Sequence, residues 1–299
     1  MEAVSKVCVL GAGTMGGRIA LASAVRGGYD VAIYDVSPEA LAGGADRLRQ
    51  YGEMMVAANR ATRAELESGL ARVTFTTDPA EAARDADVLS ESVPEILGVK
   101  REVHAKFDKL CPPRTVMTTN TSSLLVSDIE DVVGRGDRFA ALHFHGGLGS
   151  LADIMRGPRT SDETVEFLRS FARSIGEVPM VMKKEKGGYL FNTLLLGLLR
   201  SALGLAAGGY GEPEDIDRAY MLVTGNAAGP FAMMDGIGLN VIYDAWQGPT
   251  GNEDPVTREQ VTAFLRPYIE RGDLGAKTSK GFYTYPDPAF RRPEFLAGG

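Results

Sequence analysis

Lys6-Val7-Cys8-Val9-Leu10-Gly11-Ala12-Gly13-Thr14-Met15-Gly16 decides the fold. Lys6 to Leu10 is a short apolar, β-branched run, the pattern of a strand buried on both faces of a parallel sheet. It runs into Gly11-x-Gly13-x-x-Gly16, and helical periodicity follows through Ile19, Ala20, Ala22 and Val25. Gly11 suits the tight turn, Gly13 the close approach of a pyrophosphate, and Gly16 the contact of helix with strand. The N–H groups of Thr14 and Met15 at the helix start then face the phosphate charge. A second strand, Val31 to Tyr34, ends in Asp35, at the distance where an acidic side chain meets a ribose with free hydroxyls. No Arg or Lys follows in Val36-Ser37-Pro38, so a 2′-phosphate would find repulsion and no partner. The stretch therefore predicts dinucleotide binding, with NAD preferred over NADP.

The other strand signals keep the same rhythm. Val73 to Thr76, Val88 to Ser90, Thr115 to Thr118, Ala140 to Leu142 and Val178 to Met182 alternate with helical stretches such as Lys100 to Leu110. That alternation predicts an α/β domain with a parallel, doubly wound (Rossmann) sheet over residues 1–185. From Pro38 to Ala71 the pattern is helical throughout. Thr62-Arg63-Ala64-Glu65 reads as a capping box, so two helices with a break near Asn59 are expected, an excursion able to reach toward substrate. The composition shifts at Lys183-Lys184-Glu185-Lys186-Gly187-Gly188. Beyond it Tyr189 to Ala207, Glu214 to Leu222 and Val256 to Arg271 are helical, giving an all-helical domain over 186–299 with a loose tail from Pro286. Its long apolar helices predict packing against a second subunit, hence a homodimer.

The 299 residues have room for two cores, and 44% hydrophobic with 24% charged residues is ordinary globular composition. A net charge of −7 speaks against nucleic acid or an anionic membrane as the main partner. The longest apolar stretch, Leu194 to Ala207, is interrupted by Gly197, Arg200, Ser201 and Gly204, and no secretory core lies near Met1; a cytoplasmic location is expected. Cys8 and Cys111 are too few for a disulfide framework or a cysteine-based zinc site, and no metal is expected.

Three histidines are available for chemistry. His104, mid-helix among charged residues, reads as a surface group. His143 and His145 sit where the strand Ala140 to Leu142 meets the glycine-rich Gly146-Gly147-Leu148-Gly149, at the sheet edge where ligands bind in this architecture. An imidazole there either caps the strand or serves as the base that takes a hydroxyl proton as hydride leaves. Asn120-Thr121-Ser122-Ser123 ends the preceding strand; Glu91, Glu95 and Lys100 follow the one before, so polar groups gather on one rim.

Over nearly its full length the chain resembles the short-chain L-3-hydroxyacyl-CoA dehydrogenases. The resemblance rests on Gly11 to Gly16, Pro94 to Glu102, Asn120 to Leu124, Arg138 to Phe144, Gly188-Tyr189-Leu190-Phe191-Asn192, Glu214 to Asp217, Gly229-Pro230-Phe231, Asp235, Gly238-Leu239 and Leu274 to Tyr283. It implies NAD as cofactor, with Gly11, Gly13, Thr14, Met15, Gly16, Asp35, Glu95, Lys100 and Asn120 near it. It implies His143 as general base, Ser122 and Asn192 as hydrogen-bond donors to the substrate oxygen, and Asp153 in place of the glutamate that orients the histidine. The family's His-Phe-Phe-Asn-Pro is here His143-Phe144-His145-Gly146-Gly147, so His145 is expected to face substrate. The implied reaction interconverts a 3-hydroxyacyl and a 3-oxoacyl thioester, most simply 3-hydroxybutyryl-CoA. The altered loop and the scarcity of lysine in 38–71 leave two variants of substrate open, a carrier-protein-bound hydroxyacyl group and a free hydroxy acid. A silent, crystallin-like dinucleotide-binding protein is the non-enzymatic alternative.

Overall fold

The computed structural model describes residues 4–145, 151–247 and 258–298. The chain forms two compact units, Met1–Leu190 and Phe191–Gly299.

The first unit is a single sheet with helices on its faces. Its elements run β1 (Lys6–Leu10), α1 (Thr14–Val25), β2 (Asp30–Tyr34), α2 (Pro38–Ala57), α3 (Arg63–Leu70), β3 (Val73–Thr76), α4 (Pro79–Ala83), β4 (Val88–Glu91), α5 (Leu97–Leu110), β5 (Val116–Thr119), β6 (Phe139–Phe144), β7 (Leu151–Arg156), α6 (Asp162–Ser174) and β8 (Val178–Val181). The strand order β3-β2-β1-β4-β5-β6-β7-β8 reverses direction of growth at β1, which is the doubly wound topology. Alternate residues of β1 enter different cores: Val7 and Val9 pack with Ile19, Ile33 and Leu142, whereas Cys8 and Leu10 pack with Leu89, Met117 and Ala141. Burial on both faces is why β1 shows no polar alternation. Cys8 and Cys111 are both buried, and burial pushes their thiols well above the ordinary range.

The sheet is not wholly parallel. Leu151–Arg156, which carries no strand signal strong enough to predict, pairs antiparallel with β6, and β8 then pairs parallel with β7. So few residues separate β6 from β7 that no crossover helix fits between them, and a short connection can only return antiparallel. The excursion at 38–71 is α2 and α3, and Thr62 and Glu65 form the reciprocal capping box at the start of α3.

The second unit contains α7 (Leu190–Ala207, which begins on the last residue of the first unit), α8 (Pro213–Thr224), α9 (Pro230–Ile237), α10 (Leu239–Gln247), α11 (Arg258–Arg271) and α12 (Pro293–Ala297). Its core gathers Leu199, Leu203, Phe231, Met234, Leu239 and Leu265. The tail is not loose: Phe290 and Phe295 are buried against Tyr283, and the Arg218 guanidinium lies 4.9 Å from the Phe295 ring centre. α7 is long and apolar enough to cross a membrane by length and composition, despite the interruptions noted above. Leu190, Phe191, Leu194, Leu196 and Leu205 on it are exposed.

Asp217 of α8 holds this unit together. Its carboxylate accepts from the N–H groups of Phe231 and Ala232 at 2.8 and 2.9 Å, and from the Tyr283 hydroxyl at 2.9 Å. One helix thus caps the N-terminus of another, where free N–H groups need acceptors. Asp217→Ala strands three buried donors, so unfolding stability should fall by roughly 2–4 kcal/mol. Thermal unfolding checks this; an unchanged midpoint would show that the cap contributes nothing.

Candidate active site

The glycine turn has the shape that its sequence requires. Gly11 has a φ of +99°, and a Cβ there would meet the Ser92 carbonyl oxygen at 2.6 Å. A Cβ on Gly16 would sit 1.9 Å from the Gly11 oxygen. Gly13 is different, since nothing lies within 4 Å of a Cβ built on it. The space above it is open for a phosphate group. α1 begins at Thr14 with no side-chain cap and no acidic residue in its first turn, so its N–H groups remain available to an anion. Asp35 is fixed by backbone: Oδ2 accepts from Ala12 N–H at 2.9 Å and Oδ1 from Ser37 N–H at 3.1 Å. The residues fit a dinucleotide. α2 closes on the turn, with Gly44 against Ala12 and Arg47 Nη2 donating to the Ala12 oxygen at 2.7 Å. The place of Arg47 beside the turn depends on how α2 packs.

The polar rim is built on a buried network. Glu91, at the end of β4, accepts from Lys100 Nζ at 2.7 Å, from Thr119 Oγ1 at 2.6 Å and from Val93 N–H at 2.8 Å. Oε1 takes the lysine and the amide, and Oε2 takes the threonine and lies 3.3 Å from His104 Nε2. His104 is fully buried, edge-on to Phe139, and is not a surface group. Lys100, His104 and Phe107 are the buried residues of α5, spaced as one helical stripe facing the sheet. Burial pushes the Glu91 pKa up, but His104 and Lys100 outweigh it and hold the carboxyl below its ordinary range.

Lys100 also lies 3.2 Å from Glu95 Oε2, which carries the network to the loop after β5. Glu95 Oε1 accepts from the N–H groups of Ser122 and Ser123, both at 2.8 Å, and from the hydroxyls of Thr121 and Ser123. Burial raises the Glu95 pKa; Thr121, Ser123 and Lys100 more than offset this and bring it to about 2. A carboxyl with a lowered folded pKa contributes stability that is complete above its unfolded pKa and is lost as pH falls toward the folded value. With 36% of the side chain exposed, the contribution is discounted to roughly 1–2 kcal/mol. Acid titration should show it disappearing between about pH 4.5 and pH 2 in the native chain, and Glu95→Gln should remove that step. A Glu95→Gln curve parallel to the native one over that window would refute it.

Ser122, held exposed by this knot, places Oγ 3.1 Å from Nε2 of His143. His143 is almost completely buried at the end of β6. Desolvation first, and then the charge of His145, lower its pKa to about 4, against the opposing pull of Asp153 and Glu95. Tyr189 stacks on the imidazole, ring centres 4.6 Å apart and planes 9° from parallel, and its hydroxyl donates to the Thr121 oxygen at 2.9 Å. It does so from a left-handed backbone, φ +49°, a conformation that costs an L-residue about 1–2 kcal/mol. Such strain persists where surrounding contacts impose it. Sequence reasoning assigned Tyr189 no role, because an aromatic after two glycines carries no signal of what it stacks on. Asn120 ties the ends of β5 and β6 together: its Oδ1 accepts from Phe144 N–H at 2.9 Å.

Asp153 departs from its expected pairing. Strand register puts it directly opposite His143, yet its Oδ2 bonds His145 Nε2 at 2.6 Å. Nδ1 of His143 and Oδ1 of Asp153 are buried without a hydrogen-bond partner among the described residues. An aspartate is one methylene shorter than the expected glutamate, and His145, two residues along the same face, reaches the carboxylate instead. His145 therefore faces Asp153 and sets its ring edge against His143, centres 4.6 Å apart. The glycines at 146–150 lie outside the described residues. Asn192 belongs to the helical unit, half-buried on the first turn of α7.

Comparison with known proteins places the chain in a family. Residues 6–186 match the NAD-binding domain of 3-hydroxyacyl-CoA dehydrogenase and residues 188–285 its C-terminal domain. A probable 3-hydroxybutyryl-CoA dehydrogenase of Bacillus subtilis (strain 168) is 31% identical over 95% of this chain and 98% of its own. The mitochondrial hydroxyacyl-coenzyme A dehydrogenase of Homo sapiens is 33% identical over 94% of this chain and 91% of its own. A solved diketoreductase, described as acting on dicarbonyl compounds, is 36% identical, with a TM-score of 0.87 over 95% of this chain and 100% of its own. With both domains matched in order, the chain belongs to the 3-hydroxyacyl-CoA dehydrogenase family and is an NAD-dependent oxidoreductase of that type.

Proposed function

We propose that the chain interconverts a 3-hydroxyacyl thioester and its 3-oxo form, most simply 3-hydroxybutyryl-CoA, with His143 as the proton acceptor. The observation that carries this is the 3.1 Å contact of Ser122 Oγ with His143 Nε2 at the carboxyl edge of the sheet. In the oxidation direction the substrate hydroxyl lies against both groups. Nε2 would take its proton as the carbinol carbon is oxidised. Ser122 donates to the oxygen as carbonyl character develops, from a loop that Glu95 has already fixed, so little reorganisation is needed. NAD supplies the hydride acceptor. The open space at Gly13 and the uncapped start of α1 support its pyrophosphate position, and Asp35 supports its ribose.

A second reading has a specific support. The Asp153–His145 pair departs from the pattern that the resemblance implies, and the diketoreductase shares 36% identity with this chain. A dicarbonyl compound without a CoA handle then becomes the alternative substrate class. NADH oxidation with acetoacetyl-CoA, its pantetheine analogue, free acetoacetate and a simple 3,5-diketo ester separates the two. Preference for the CoA ester supports the thioester reaction. Turnover of the diketo ester with indifference to the CoA ester overturns it.

We also propose a homodimer formed through α7. Exposed Leu190 and Leu194, four residues apart and so neighbours on one face of α7, support it, because an exposed apolar face marks an association surface. Light scattering should give twice the chain mass, and Leu194→Glu should shift the protein toward monomer. A monomer at micromolar concentration in the native protein refutes it.

A further inference from the structure

We propose that His143, His145 and Asp153 form a binding site for a divalent cation of the zinc class, whose occupancy silences the active site. The geometry follows from the ladder. Residues two apart on a strand point to one face, so His143 and His145 project together from the end of β6 and just beyond it. Asp153 is the register partner of His143 on the antiparallel neighbour β7, and directly opposed residues share a face. An imidazole at the end of one strand, another just past it and a carboxylate on the next strand thus aim at one volume. Their ligand atoms all lie within 4.8 Å of one another.

A tetrahedral zinc with bonds of about 2.0–2.1 Å holds its donors about 3.3 Å apart, so no pair here needs to close by more than about 1.5 Å. A second observation points to a ligand at this place. The Asp153 side chain is wholly buried and that of His143 nearly so, and each keeps one polar atom without a hydrogen-bond partner among the described residues. Buried polar atoms normally find partners, and two from adjacent strands are left over beside a third donor. Two imidazole nitrogens and one carboxylate oxygen suit zinc, cobalt or nickel far better than magnesium or calcium, which take oxygen donors. Three protein ligands leave a fourth position for water.

Occupancy and catalysis then exclude each other. A cation on Nδ1 of His143 leaves the remaining ring proton on Nε2. That nitrogen can donate to Ser122 Oγ but cannot accept a proton from an alcohol. Metal binding itself does not depend on the function proposed above; the silencing rests on that reading, through His143 as the base.

Titration of the full-length, chelator-treated protein with Co2+ tests the binding without any turnover. The expected result is one equivalent bound with the intense visible bands of a tetrahedral ion, displaced by Zn2+. His145→Phe and Asp153→Asn, each first checked for a native thermal midpoint, should weaken Zn2+ binding by at least about 100-fold, beyond the loss caused by disturbing outer partners. Pale octahedral bands, or equal affinity in both variants, would overturn the site. In the parallel assay, Zn2+ should abolish NADH oxidation over the same concentration range and EDTA should restore it. Stoichiometric binding with full turnover would overturn the silencing while leaving the site and the proposed reaction standing. A protein that binds the metal yet turns over no tested substrate, metal-free, would overturn the reaction instead.

Discussion

Replacing His143 by Gln should lower kcat/KM for oxidation of 3-hydroxybutyryl-CoA by roughly 10³-fold while NADH affinity stays within about twofold. The glutamine amide keeps a polar group near Ser122, so the variant removes proton acceptance with little change in volume. The effect should fall on kcat more than on KM, because the lost interaction belongs to the transition state. NADH affinity should be spared because the groups proposed to meet the cofactor, the glycine turn and Asp35, follow β1 and β2 and do not belong to β6. Stopped-flow hydride transfer with fluorescence titration of NADH checks both halves. A kcat/KM within tenfold of the native value would remove His143 from the chemistry.

The parts of this site that were legible in the sequence are those fixed by short-range backbone demands. Gly11 to Gly16 could be read because a tight turn, an open approach and a close helix contact each exclude side chains at stated positions. Ser122 and His143 could be placed on one rim because His143 ends an apolar run, Ser122 lies just past a strand, and strand ends in a doubly wound sheet collect at one edge; their roles come from the family resemblance. What could not be read depends on reach and register. Whether Asp153 meets His143 or His145 is settled by one methylene and by the pairing of β7, and Leu151–Arg156 sits behind a glycine run that masks its strand pattern. His104 escapes a reading of the sequence for a different reason. Its charged neighbours suggest a solvated helix face, yet positions 100, 104 and 107 fall on one helical stripe. Two of the three carry polar groups where periodicity reserves apolar ones. A polar residue on the buried stripe of a helix is itself a signal, since only a satisfied network makes it tolerable.

That network carries the second large effect. Lys100→Met should lower unfolding stability by roughly 3–5 kcal/mol, because it leaves the Glu91 charge buried with too few partners. The methionine fills the stem's volume, so packing is retained and the loss reports the charge. For a domain of this size the thermal midpoint should drop by roughly 10 °C. Activity should suffer as well, and by a route that identifies the network's job. Glu95 loses the ammonium that neutralises it from the buried side, so the loop it gathers at Ser122 and Ser123 loosens. Ser122 Oγ then meets His143 Nε2 less often, and kcat should fall at temperatures where the fold is intact. Adding Glu91→Leu to Lys100→Met separates the two consequences. Removing both charges together should recover part of the lost stability, as replacement of a whole buried pair by apolar groups commonly does. It should not recover kcat, since Glu95 still lacks Lys100. Recovery of both would mean the pair serves stability alone, and recovery of neither would mean the cost lies in packing around His104 and Thr119.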